Sequence, residues 1–446
     1  MTARGPLAAL ATVLFSLLLS VLPPASAGAV EIREIRTPLG IKAWLVEDRS
    51  VPIVTMNFSF DGGTASEPEG QKGVTSLMAI LLTDGAGTLG AQDFKRREED
   101  SEMSLGFGAS LDRVSGSLRV LSANRAEGFE MLRLALTAPR FDADMLEQRR
   151  AQSISSLNQS EQRPQAVAAR TLMTAVFGGH PYASNAEGLR DGLRTLTVAE
   201  IKARAATVLS RTGLVIAAVG DIGADDFARE IDKAFGALPA GPALAELPQW
   251  TPSGKARTIV VERPVPQSTL QIVLPGIARD DPDWYAAYVM NHIFGGGGLG
   301  SRLATEVREK RGLAYGASSG LRLYRKASLL VISTASANEK VGEAVRVIRT
   351  EMARMRTEDV TDQELADAKT YLTGALPVSL DSSGSIADLL YSMQLDGLPR
   401  DHLDKRAALI QAVKAEDVRR VARRLLRDDA AITIVVGKPV GLPTEP

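Results

Sequence analysis

The sequence predicts a duplicated α+β domain of the two-layer type, and three observations support this prediction. A helix–turn–strand segment at residues 197–220 recurs without a gap at residues 414–437. A helical segment at residues 141–157 recurs, in the same order along the chain, at residues 360–376. Between the two copies, residues 235–256 are rich in Pro, Gly and Ala, as is typical of a joint between domains. A chain of 446 residues is long enough for two such domains.

The composition is that of an ordinary globular protein, with 45% hydrophobic and 24% charged residues. The formal net charge is -1, so no strong positive field points to nucleic acid as a partner. The absence of cysteine excludes disulfides, thiolate metal sites and a cysteine nucleophile.

The first 27 residues have the pattern of a secretory signal peptide. Arg4 precedes an uncharged apolar run at residues 7–22, and the small residues Ala25–Ala27 form a cleavage site, so the mature chain is expected to begin near Gly28. The alternative is an uncleaved membrane anchor, but the run is short and ends in two prolines. The sequence therefore predicts an exported protein of the bacterial periplasm, with no membrane span once the signal is removed.

The repeated segments predict specific elements in each half. Both copies begin with a helix that has one apolar face, and the strands that follow, "LVIAAVG" and "AITIVVG", are apolar throughout, which predicts that both strand faces are covered. Thr361 and Glu364 have the spacing of a capping box, and Asp142 is the matching N-cap in the first half. Further strands are predicted at "KAWLVED", "VPIVTMNFSF" and "SLRVLS" in the first half, and at "ARTIVVERP", "STLQIVLPG" and "ASLLVISTA" in the second.

A glycine-rich stretch, "FGGGGLGSR" at residues 294–302, fits the dinucleotide-binding pattern G-x-G-x-x-G as a string. The segment before it, residues 281–294, has helical spacing, whereas that pattern requires a preceding strand. The expected acidic residue downstream is also missing, which disfavours phosphate binding. A flexible linker is one alternative; close approach of the backbone to a ligand is the preferred interpretation, because consecutive glycines are entropically costly in a simple joint. We expect a helix from Ser301 to about Lys310, a turn at Gly312 and a strand through Tyr315.

Five segments appear in an order that is similar to a known family: "GVTSLMAILLTDGAG", "FGGHPYA", "VGDI", "FGALPAGP" and, most specifically, "SRLATEVREKRGLAYG". Together with the glycines, they resemble the pitrilysin-type M16 (inverzincin) zinc peptidases over nearly the whole mature chain. The resemblance implies two related domains, each a mostly antiparallel sheet packed with helices. Their expected bounds are residues 28–240 and 257–440, joined by a linker at residues 241–256.

The zinc motif of that family, H-x-x-E-H, is degenerate in this sequence. Its positions are held by Ser76, Ala79 and Ile80, and the third ligand, a glutamate in the family, falls at about Ser155 or Ser156. None of these side chains is a good zinc ligand. The segment is expected to be a core helix with an apolar stripe formed by Val74, Leu77, Met78 and Leu81.

No other metal site is indicated by the sequence. The three histidines, His180, His292 and His402, are far apart and have no ligand-type neighbours at suitable spacing. His180, in a turn-like stretch that the family shares, is expected to be structural. The sequence therefore predicts no metal or other cofactor bound by this chain itself.

The resemblance implies that an arginine and a tyrosine seven residues apart hold the substrate, and Arg308 and Tyr315 match them. Gly295, Gly296, Gly297, Gly298 and Gly300 are the accompanying substrate-binding residues. Arg302 and Arg311 are expected to be solvated or paired. The hypothesis is a non-zinc subunit of a heteromeric periplasmic metallopeptidase, whose partner is a zinc-bearing homologue and whose substrate is a peptide or unfolded polypeptide.

Two alternatives remain at this point. A catalytically inactive peptide-binding or assembly scaffold of the same fold has the same degenerate motif. A nucleotide-dependent enzyme has only the glycine pattern in its favour.

Overall fold

The computed structural model describes residues 31–183, 186–241, 244–252 and 255–442. The predicted signal segment at residues 1–27 lies outside them. No helix within these ranges is long and apolar enough to cross a membrane.

The first half is a six-stranded sheet with helices on it. Its strands lie in the order β1-β2-β8-β3-β7-β6, with a separate short hairpin β4-β5. The strands are β1 (Arg33–Arg36), β2 (Lys42–Glu47), β3 (Ile53–Asp61), β4 (Gly85–Ala86), β5 (Leu89–Gly90), β6 (Ser104–Ala109), β7 (Arg113–Leu121) and β8 (Val215–Gly220). The helices are α1 (Val74–Leu81), α2 (Ala91–Asp100), α3 (Arg125–Thr137), α4 (Ala143–Glu161), α5 (Pro164–Phe177), α6 (Ala186–Thr195), α7 (Val198–Val208) and α8 (Ala224–Phe235).

The second half repeats this plan with a five-stranded sheet, in the order β11-β12-β10-β13-β9. Its strands are β9 (Arg257–Glu262), β10 (Gln267–Pro275), β11 (Ala314–Tyr324), β12 (Ala327–Ala337) and β13 (Ile432–Gly437). Its helices are α9 (Trp284–Asn291), α10 (Val341–Thr357), α11 (Asp362–Ser379), α12 (Ser383–Leu395), α13 (His402–Gln411) and α14 (Ala415–Leu425).

The two sheets are topological copies. In each, one parallel pair, β2 with β8 or β9 with β13, is followed by antiparallel neighbours only. The order β2-β8-β3-β7-β6 corresponds strand for strand to β9-β13-β10-β12-β11. The predicted fold, a duplicated α+β domain with mostly antiparallel sheets, is therefore confirmed. The two strands predicted in the repeated segments, the six further strands and the strand through Tyr315 are all present.

The helix ends show which local signals determine the boundaries. The predicted capping box at Thr361 and Glu364 is formed, with reciprocal hydrogen bonds between side chains and backbone. Asp142 stands at the N-cap position of α4, as predicted, but its side chain makes no capping hydrogen bond. Its carboxylate accepts a hydrogen bond from Arg140 at 2.6 Å instead, because a charged donor two residues away competes with the backbone N–H groups.

The two halves exchange helices, which the sequence did not reveal. Helix α12 of the second half packs on β3 and β8 of the first sheet, and α5 of the first half packs on β10 and β13 of the second. These contacts produce the two-sided burial predicted for β8 and β13. Ala217 and Val219 of β8, for example, are fully buried in a cluster with Ala387 and Leu390 of α12. Each sheet therefore has one face covered by a helix from the other half of the chain.

The segment between the halves is docked rather than loose. The indole N–H of Trp250 donates to the carbonyl oxygen of Val176 at 3.1 Å. The backbone N–H of Trp250 donates to the backbone carbonyl oxygen of Lys326 at 2.9 Å. Tyr182, fully buried nearby, donates to Asp112 at 2.5 Å and accepts from the backbone of Lys326 at 3.1 Å. These bonds fasten the linker and the first half to the β11–β12 hairpin of the second.

Candidate functional site

The glycine-rich stretch joins two helical segments, as predicted. Helix α9 continues into a π-helical turn at His292–Gly296, and a 3-10 turn follows at Gly298–Gly300. The expected helix from Ser301 to about Lys310 is present, but its residues Ala304–Glu309 are π-helical rather than α-helical. The wider turns close through bonds between residues five apart, such as Gly297 N–H to His292 O at 2.8 Å.

Three of the glycines are required by close packing. A Cβ atom on Gly295 would lie 2.7 Å from the backbone nitrogen of Ser319 on β11 and 2.6 Å from its Oγ. On Gly297 it would lie 2.8 Å from the carbonyl oxygen of His292. On Gly296 it would lie 2.6 Å from the Asn291 amide. The backbone at Gly295–Gly297 therefore packs closely against neighbouring residues, which is possible because glycine has no side chain.

The remaining two predicted glycines face open space. Gly298 adopts a left-handed conformation, φ 62°, which favours glycine. A Cβ on Gly298 or Gly300 would meet nothing within 4 Å. Leu299 between them is 61% exposed. This second part of the loop leaves its backbone accessible to a ligand.

Arg308 and Tyr315 flank the turn that enters β11. Arg308 is exposed, and its side chain makes no hydrogen bond or ion pair with any residue that the structure describes. Tyr315 is 90% exposed and lies where the pairing of β11 with β12 shifts register between Ala314 and Ala317. An irregularity of this kind re-aims side chains at a strand end.

Strand β11 lies at the edge of its sheet, since among the described strands it pairs with β12 alone. An unpaired edge presents N–H and C=O groups that an extended peptide can pair with. The sequence predicted only a strand through Tyr315, and no signal in it marked the edge position, which depends on the order of all five strands.

The neighbouring arginines are paired, as expected. Arg302 forms a two-pronged ion pair with Glu364 of α11, at 2.7 and 2.9 Å. The Arg302 guanidinium lowers the pKa of the Glu364 carboxyl to about 2. Arg311, together with Lys310, pairs with the buried Glu306, and the two cations lower its pKa as well. Among the cations of this segment, Arg308 differs by having no acidic partner.

The degenerate zinc positions are those of an ordinary helix. The predicted apolar stripe of α1 is confirmed, with Val74, Leu77, Met78 and Leu81 at most 1% exposed. Ala79 is also buried, Ile80 is 37% exposed, and Ser76 is half-buried.

Helix α1 packs against α4, where Ser155 and Ser156 are exposed. Arg149 of α4 holds Asp84, just after α1, with two hydrogen bonds of 2.7 Å. The scaffold that joins the two helices is therefore intact, but hydroxyl and hydrocarbon side chains do not fit zinc. No group of three or more potential metal ligands occurs in the described part of the chain.

The histidines are held apart in separate surroundings. His180 has a structural arrangement, accepting from the backbone of Tyr182 through Nδ1 at 3.1 Å and contacting the Pro248 carbonyl through Nε2 at 2.8 Å. His402 is buried against Tyr285. His292 lies at the glycine loop, where burial lowers its pKa, and its ring stacks on Tyr371 of α11. Sequence reasoning missed this stack, since the two residues are far apart along the chain.

Comparisons with known proteins agree with this geometry. Residues 195–372 match the family model described as the peptidase M16 inactive domain. The chain is 26% identical over 412 residues to a protein of Helicobacter pylori named non-peptidase homolog YmxG, covering 91% of this chain and 93% of that protein. It is 29% identical to the crystal structure of a peptidase M16 inactive domain from Pseudomonas fluorescens, with a TM-score of 0.86, covering 93% of this chain and 99% of that one.

The fold also matches half of a longer protein. The periplasmic protease PqqL from Escherichia coli has a TM-score of 0.75 to this chain at 16% identity. The match covers 98% of this chain but 51% of PqqL. The architecture described above therefore corresponds to about half the length of that structure.

Proposed function

We propose that this chain is the non-zinc subunit of a heteromeric peptidase, on the basis of the match of residues 195–372 to the peptidase M16 inactive domain and of the similarity of nearly the whole chain to M16 homologues. A separate zinc-bearing homologue supplies the metal and the H-x-x-E-H motif. This chain supplies Arg308, Tyr315 and the glycine loop at residues 295–300. The complex is exported to the bacterial periplasm, and its substrate is a peptide or an unfolded polypeptide.

One observation carries this proposal: Arg308 and Tyr315 are exposed on either side of the turn that enters β11, and neither side chain has a hydrogen-bond or ion-pair partner among the described residues. The neighbouring Arg302 and Arg311 are instead paired with carboxylates. An exposed arginine in an otherwise paired segment has its fork of donors available for carbonyl oxygens of a ligand. The Tyr315 hydroxyl can donate to a carbonyl oxygen that gains negative charge as the peptide bond is attacked.

The peptide itself is expected to lie along β11. Main-chain hydrogen bonds to this edge would fix its direction, as in other recognition by strand addition. The accessible part of the loop, Gly298–Gly300, then borders the bound chain. Positioning and charge stabilisation by this chain are the two contributions that remain when a subunit has no metal of its own.

The test is hydrolysis of a peptide by the complex, reconstituted with the H-x-x-E-H homologue that co-purifies from the native cell. Arg308→Ala should reduce the rate by about 10²–10³, the effect of removing one donor to a developing oxyanion. Arg346→Ala is the matched control, because Arg346 is also exposed and has no side-chain partner among the described residues, but lies on α10.

An unchanged rate in Arg308→Ala would contradict the proposed role. Assembly of the complex should be checked for both variants, so that lost pairing is not mistaken for lost chemistry. If peptide binds to the complex while no variant of this chain affects hydrolysis, the protein is instead a scaffold without a catalytic contribution.

A further inference from the structure

Tyr371 is unusual for a large ring on the surface of a helix. It is 62% exposed, and its ring stacks on that of His292, with centroids 4.9 Å apart and planes 26° from parallel. His292 is the first residue of the π-helical turn that leads into the glycine loop. The stack therefore holds the Tyr371 ring in a defined place beside the loop.

The loop backbone lies directly on the imidazole. A Cβ on Gly297 would be 3.1 Å from Nε2 of His292, closer than a side chain is normally accommodated. Beyond this contact, Cβ positions on Gly298 and Gly300 meet only open space, and Leu299 projects with 61% exposure. His292 thus links the ring of Tyr371 to the loop Gly297–Gly300, and we name these residues together the aromatic shelf.

The chemistry of the shelf is apolar. None of its residues carries a formal charge when His292 is neutral, and the burial of that ring favours the neutral form. Arg302, two residues after the loop, is paired with Glu364 of α11 through two hydrogen bonds. A flat ring with free surface gains most from contact with another ring or a large aliphatic group.

We infer that the aromatic shelf binds one large apolar side chain, preferably aromatic, of the peptide substrate. The inference rests on the proposed function, because the peptide main chain must be held at β11 nearby. Gly295 connects the two places, since it packs against Ser319 of that strand. In an extended peptide alternate side chains point the same way, so one of them can reach the shelf while the main chain stays on the strand edge.

A docked protein subunit is the less suitable occupant. A stable interface buries about 800 Å² on each partner. One tyrosine accounts for about 150–250 Å², and the shelf adds only one exposed leucine and glycine backbone to it. The size of the shelf suits a single side chain.

The test uses the mature chain and two fluorescein-labelled decapeptides of Ser and Thr, with Phe or Ala at the centre. Fluorescence anisotropy should show tighter binding of the Phe peptide. Tyr371→Ala should reduce that preference by about two- to tenfold, the range for one aromatic pair, and Tyr371→Phe should preserve it. Leu409→Ala, an exposed apolar residue on α13, serves as the control and should change nothing.

Three outcomes would overturn the inference in distinguishable ways. Equal binding of the two peptides, or a preference that survives Tyr371→Ala, removes the shelf but leaves peptide binding at β11 intact. Binding of neither peptide argues against the shelf and against peptide capture by this chain, and the Arg308→Ala experiment then decides the proposed function separately. Loss of heterodimer assembly in Tyr371→Ala, with peptide preference unchanged, would identify the shelf as a subunit contact.

Discussion

Leu390→Ala should show that the exchanged helices make the two halves one cooperative unit. Leu390 lies on α12 of the second half and is fully buried against β8 of the first. Its neighbours there include Ala217 and Ala387, which are too small to fill the space left by the removed atoms. With both the transfer and the cavity contributions present, the free energy of unfolding should fall by about 2–5 kcal/mol.

The assay is guanidinium unfolding followed by circular dichroism and by tryptophan fluorescence. Trp44 borders this cluster in the first half, Trp250 lies in the linker and Trp284 lies in the second half, so their summed fluorescence reports on both halves. The circular dichroism and fluorescence curves should both shift to a lower guanidinium concentration in a single transition. The dependence of the unfolding free energy on denaturant concentration should be unchanged. Leu409→Ala, at an exposed site on α13, should stay within about 0.5 kcal/mol of the wild type.

If circular dichroism and fluorescence instead resolve two transitions, with only one displaced by Leu390→Ala, the two halves do not unfold as one cooperative unit. That result would mean that α12 stabilises its own half and merely touches the other. A shift as small as that of the control would mean that the cluster closes around the cavity at little cost.

Two further predictions concern the loop and the missing metal. Gly295→Ala should destabilise the protein by about 1–3 kcal/mol, since its Cβ would overlap the Ser319 backbone, whereas Gly300→Ala should be nearly neutral; equal unfolding midpoints would contradict the packing argument. Restoring the three ligand types on the α1–α4 scaffold with Ser76→His, Ile80→His and Ser156→Glu should create a zinc site. The metal retained per chain after dialysis should exceed that of the wild type, and equal amounts would contradict the prediction.

Local pattern was sufficient for most of the elements. The apolar face of α7 and the all-apolar strand β8 are visible in the sequence because their periods differ, and their copies in α14 and β13 confirm the repeat. The capping box of α11 was equally readable, since two residues three positions apart, Thr361 and Glu364, determine it.

The sequence pattern could not show which element each apolar surface packs against. The apolar faces of α5 and α12 indicate that both helices pack against another element. They do not indicate that each helix packs on the sheet of the other half. The π-helical turns around the glycine loop likewise depend on tertiary contacts, such as that of Gly295 with Ser319. The edge position of β11 and the stack of His292 on Tyr371 are long-range features for the same reason.

The helix exchange constrains how a peptidase chamber built from this chain could open. Separating the halves would expose the clusters under α5 and α12, and it would also break bonds such as Gln394 to the Ile216 carbonyl at 2.9 Å. That cost is large, because the apolar strands β8 and β13 would each lose one covered face. On the proposal of a two-chain enzyme, entry of a substrate therefore has to occur by movement between this chain and its zinc-bearing partner. Arg308 and Tyr315 would then move together with the rest of this chain, and they would approach the zinc of the partner only when the two chains close.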